Sequence, residues 1–89
     1  MNAIVSVIGN DTVGIIAKVT TCLASLQINI LDLSQTIMQG NFTMVMLVDL
    51  SGSDKSFDEI AQTLEELGKE MKLSIRIQKS EIFDAMHSI

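Results

Sequence analysis

The chain has 89 residues, 47% of them hydrophobic, with three phenylalanines as the only aromatics, no proline and a formal net charge of −5 at pH 7. That length allows one hydrophobic core and no second domain. Eleven acidic against six scattered basic residues leave no basic patch, which excludes direct nucleic-acid binding. No apolar run approaches the ~18 residues of a membrane span, and no basic leader with a cleavage site opens the chain. A cytoplasmic setting is expected, and the lone Cys22 excludes an internal disulfide.

In chain order, Ala3 to Ile8 is the first strand candidate, apolar on both faces as a central strand should be. Gly9-Asn10-Asp11-Thr12-Val13-Gly14 follows as a sharp turn into a helix predicted over 13–26. Ile15, Ile16, Val19, Leu23 and Leu26 form its stripe, and Asp11 is its expected N-cap. Cys22 lies within this helix and reads as a small apolar residue. A strand that turns directly into a helix leaves backbone N–H groups free, a natural seat for a carboxylate. Residues 28–38 read as a second strand whose alternation breaks: Ile28 and Ile30 share one face, Leu31, Leu33 and Ile37 the other. A bulge near Leu31-Asp32 would reconcile them.

Gln39-Gly40-Asn41 signals a tight hairpin turn. The strand over 42–50 then places Phe42, Met44, Met46, Val48 and Leu50 on one face. Thr43, Val45, Leu47 and Asp49 fall on the other, which is too apolar for open water. Ser56 and Glu59 form a capping box for a second helix with Phe57, Ile60, Leu64, Leu67 and Met71 along its buried stripe. Residues 72–79 alternate cleanly, Leu73, Ile75 and Ile77 inward. The tail (79–89) carries Ile82, Phe83, Met86 and Ile89 at helical spacing and is expected to pack as a short extra helix.

The order β-α-β-β-α-β, in a single α+β domain over 1–89, predicts a ferredoxin-like fold. It is a four-stranded antiparallel sheet with two helices on one face. The first and third strands are expected to be central and mutually parallel, with the second and fourth at the edges.

The segment Ile8-Gly9-Asn10-Asp11-Thr12-Val13-Gly14-Ile15-Ile16, with Asn29-Ile30 downstream, resembles the signature of the ACT domain family. The whole chain is similar to small stand-alone ACT proteins. It is also similar to the ACT modules of the glycine-cleavage-system transcriptional repressor and of formyltetrahydrofolate deformylase. The resemblance implies a regulatory module that binds an amino acid or similar metabolite at a homodimer interface and signals to a protein partner. It also implies the site: Asn10, Asp11, Thr12, Val13 and Gly14 from one subunit, Asn29 and Ile30 from the other, with no metal and no cofactor. Two positions depart from the family pattern. Val13 stands where many members have proline, and Gly9 where some amino-acid-binding members have histidine.

Each residue has a second reading without a ligand. Asp11 can serve only as an N-cap, and Asn29 can satisfy only the helix–strand turn. Gln35 and Thr36 are further positions able to face a pocket. A ligand-free dimeric adaptor is therefore the alternative function. An enzyme is disfavoured, because the sequence holds no nucleophile–base pair, metal-ligand spacing or phosphate loop. Glu65, Glu66 and Glu70 read as a solvated helix face.

Overall fold

The structure, a computed structural model, describes residues 1–10 and 12–80. The elements are β1 (Asn2–Asn10), α1 (Ile15–Ser25), β2 (Asn29–Met38), β3 (Asn41–Asp49), α2 (Phe57–Met71) and β4 (Ser74–Lys79). One sheet holds the strands in the order β2-β3-β1-β4. The expected ferredoxin-like topology is present, with one correction. β1 and β3 are central but antiparallel, with Asn2 opposite Asp49 and Asn10 opposite Asn41. The hairpin reverses β3 relative to β2, and the α1 crossover keeps β2 parallel to β1, so β3 must oppose β1.

Alternation explains the core. Ala3, Val5 and Val7 of β1 and Phe42, Met44, Met46 and Val48 of β3 are buried on one face. Ile15, Val19 and Leu23 of α1 and Ile60 and Leu64 of α2 close over that face. Ile16, expected in the α1 stripe, is 39% exposed. Cys22 is partly buried against the core, and desolvation raises its thiol pKa, which suits a packing role rather than a nucleophile.

The turn chemistry is as the residues dictate. Gln39 and Gly40 both have positive φ, at 52° and 80°, which is the geometry of a two-residue type I′ hairpin. The pairing of β2 with β3 shifts register between Ile30 and Asp32, the bulge needed to turn Leu33 and Ile37 onto the same face as Ile30. The Ser56 hydroxyl accepts the Glu59 N–H at 3.1 Å and donates to the Glu59 carboxylate at 3.2 Å, so the capping box caps α2. α2 ends where Lys72 turns left-handed (φ 59°) and the Leu73 N–H bonds back to the Gly68 carbonyl at 2.7 Å.

That close return sets a packing limit. A Cβ on Gly68 would lie 2.7 Å from the Leu73 carbonyl oxygen, a backbone atom that cannot rotate aside. Gly68→Ala is expected to destabilise by about 1–3 kcal/mol from overpacking, although alanine is the better helix former. Urea denaturation monitored by circular dichroism measures this, and an unchanged midpoint would contradict the packing described. The tail predicted to form a helix over 82–89 lies outside the described residues, as does Asp11.

Candidate functional site

The two helices cover β1, β3 and β4 but leave much of β2 bare. From Leu33 onward its helix-side residues, Leu33, Gln35 and Ile37, pair with Met46, Met44 and Phe42 of β3. Their partners are buried, yet Leu33 is 38% and Ile37 55% exposed. An open groove of about 450 Å3 results, bounded by Thr12, Gly14 and the first residues of α1 on one side and by Gln35, Ile37 and Phe42 on the other.

The start of α1 faces this groove. Gly14 is the N-cap, with φ 91°, and no side chain among the described residues caps the helix. Asp11, expected in that role, is therefore three residues too early. The cap falls at Gly14 because the turn needs a left-handed residue, which glycine adopts without strain. The first turn of α1 contains no acidic residue, whereas α2 has Asp58, Glu59 and a capping serine. Ile15, Ile16 and Ala17 all line the groove. Their N–H groups precede the first internal helical bond, from Lys18 N–H to the Gly14 carbonyl at 3.0 Å. Such a terminus offers an anion both donors and the positive end of the helix dipole.

The sequence-predicted residues divide into two groups. Thr12 and Gly14 line the groove, and Asn10 ends β1 beside it, opposite Asn41. Val13 is fully exposed at the tip of the loop. Asn29 and Ile30 begin β2 at its far end, opposite Asp49 and Val48. Six residues of strand, ~20 Å, separate Asn29 from Gln35, so one chain does not bring the two groups together. Gln35 lies on the groove side, while Thr36 pairs with Thr43 on the opposite sheet face. Ile16 and Ile37 were visible in the sequence only as core candidates. Their place in the groove follows from how little of β2 the helices cover.

Gly9 explains its own missing side chain. A Cβ there would overlap the Leu73 side chain, which occupies the space that a larger residue at position 9 would need. A wider hollow of about 590 Å3 lies between α2 and the edge of β4. Its rim includes the solvent-exposed Lys69–Glu65 pair, at 3.7 Å. Charges satisfied there by each other and by water make it a poorer seat for a ligand. Among the described residues, no cluster of side chains is arranged to hold a metal ion.

Residues 2–78 match the family model described as the ACT domain. A UPF0237 protein of Clostridium acetobutylicum is 55% identical over 89 residues, covering all of both chains. Among solved structures, an ACT domain protein from Streptococcus pneumoniae superposes with a TM-score of 0.83 at 37% identity, over 93% of each chain. A glycine cleavage system transcriptional repressor, described as putative in its own right, matches with a TM-score of 0.76 at 25% identity. That match covers 86% of this chain and 44% of the repressor.

Proposed function

The chain belongs to the ACT domain family, and from that premise we propose that it is a regulatory module binding an amino acid between two copies of itself. The observation that carries this reading is the first turn of α1, which starts on a glycine and lines a groove on the bare face of β2. An amino-acid carboxylate meets the N–H groups of Ile15, Ile16 and Ala17 at the start of the helix. Its ammonium needs an acceptor, for which Asp11, the Gln35 carbonyl oxygen and the amide of Asn29 of the partner subunit are the candidates.

The second copy enters through β2. This edge strand carries one charge, Asp32, in ten residues, whereas the other edge, β4, carries Arg76 and Lys79 in six. Charged edges resist pairing and uncharged ones invite it. Antiparallel pairing of β2 with its copy about a twofold axis near Leu33 lays the start of one strand alongside the end of the other. The partner subunit's Asn29 and Ile30 then come near the segment Gln35 to Ile37, beside the groove. The two groups of residues that one chain keeps apart become one site in the dimer.

The groove's described lining is apolar apart from Thr12 and Gln35 and holds no charged side chain. Aliphatic amino acids should therefore bind better than charged ones, because a buried unpaired charge is costly. A thermal-shift screen of the full chain against the twenty amino acids tests this reading. A ligand at one hundred times its Kd adds about 2.7 kcal/mol of stability, so a specific one stands out. A flat response in every well would favour the adaptor reading, for which the fully exposed Val13 at the loop tip speaks. With no catalytic machinery assigned, output passes through a protein partner. A reducing, cytoplasmic setting agrees with the single, partly buried Cys22.

A further inference from the structure

The sheet face away from the helices has the apolar centre that the β3 alternation predicts. Ile4 of β1 lies opposite Leu47 of β3, and Ile8 and Val45 extend the patch along the same two strands. Ile8 is 53% and Val45 42% exposed, and no described element covers them. The flanks are polar: Asp32, Ser34 and Thr36 on β2, and Ser74, Arg76 and Gln78 on β4. An apolar centre with a polar rim is the pattern of a surface that something covers.

We infer that this face is the docking seat of the chain's own C-terminal segment, residues 81–89. The point of attachment favours it. Gln78 pairs with Ile4 at the border of the patch, and β4 ends at Lys79, one position further on. Nine residues reach up to about 30 Å when extended, well beyond the ~13 Å of the four strand steps from Ile4 to Ile8. The segment supplies four apolar side chains, Ile82, Phe83, Met86 and Ile89, with Glu81 and Asp84 beside them. Those acids complement Arg76, which stands across from Ser6 in the middle of the face. A covalently attached segment also reaches the patch at a high effective concentration, an advantage that a separate molecule lacks.

Disulfide trapping in the full chain tests this. In a Cys22→Ser background, Met86→Cys is combined with Val45→Cys or with Ile8→Cys, and Gln62→Cys on the solvent face of α2 serves as control. A disulfide requires Cα atoms within about 7 Å of each other, so closure reports docking. Under mild oxidation, at least one face pair should close within single chains, independently of protein concentration, and at least tenfold faster than the control. Predominantly covalent dimers would show instead that a second copy covers this face. Closure no faster than the control, or none, would show that the segment does not dock there. Each of these outcomes overturns the inference. As a second measurement, Val45→Asp and Phe83→Asp should each lower the melting temperature, and the double variant should fall no further than the worse single one. Additive losses would count against contact between the two sites.

Discussion

Phe42→Ala should produce the largest loss of stability of any single substitution considered. Phe42 is 2% exposed, pairs with Gly9 on β1 and Ile37 on β2, and forms the floor of the groove. Its removal leaves a cavity where the first turn of α1 meets the sheet. Truncating a buried phenylalanine typically costs about 3–5 kcal/mol. At roughly 0.05–0.15 kcal/mol per residue, a domain of this size holds only about 4–13 kcal/mol in total. The midpoint of urea denaturation should fall sharply with an unchanged slope. A loss below about 1 kcal/mol would mean that the ring is not packed as described.

Leu33→Asp should have the largest effect on assembly while leaving the fold intact. Leu33 sits at the middle of β2, 38% exposed, beside the only charge on that strand. If two copies pair about an axis near this residue, the substitution sets like charges almost face to face, next to the two Asp32 carboxylates. Opposed like charges destabilise a strand pair. The dimer dissociation constant should rise at least a hundredfold, equivalent to about 2.7 kcal/mol. Light scattering at micromolar concentration should then report the 9.7 kDa monomer, with an unchanged circular dichroism spectrum. Any ligand response should also fall, because the partner subunit's Asn29 would be withdrawn. A variant that remains dimeric would place the subunit contact elsewhere.

Much of the architecture was legible in the sequence because each local signal had one physical meaning. Ser56 and Glu59 mark a helix start by reciprocal hydrogen bonding, and the broken alternation at Leu31-Asp32 has a bulge as its simplest cure. Gln39-Gly40 was legible for the same reason, since few dipeptides tolerate two positive φ angles. The direction of β3 relative to β1 was misread, although the connections alone determine it. The cap of α1 was misplaced for a subtler reason. Asp11 is a strong capping residue by type, but the left-handed turn at Gly14 decides where the helix begins.

The site was harder to read than the fold. Ile16 and Ile37 obey the period of a core residue, and periodicity does not reveal how much of a sheet a helix pair leaves uncovered. Gln35 and Thr36 are adjacent and chemically similar in a sequence, yet the pleat sends them to opposite faces, and only Gln35 lines the groove. Asn29 and Gly14 were grouped by resemblance alone. The resemblance assigned Asn29 to the second subunit, and within one chain the two lie apart.

The most direct test is a crystal structure of the full chain grown with the amino acid that stabilises it most. The expected result is an extended sheet running through two antiparallel β2 strands. The ligand carboxylate should lie within hydrogen-bonding distance of the Ile15–Ala17 amides, with Asn29 of the partner subunit alongside. A dimer joined through another surface, or a groove closed by the neighbouring subunit's side chains with the ligand bound elsewhere, would contradict it.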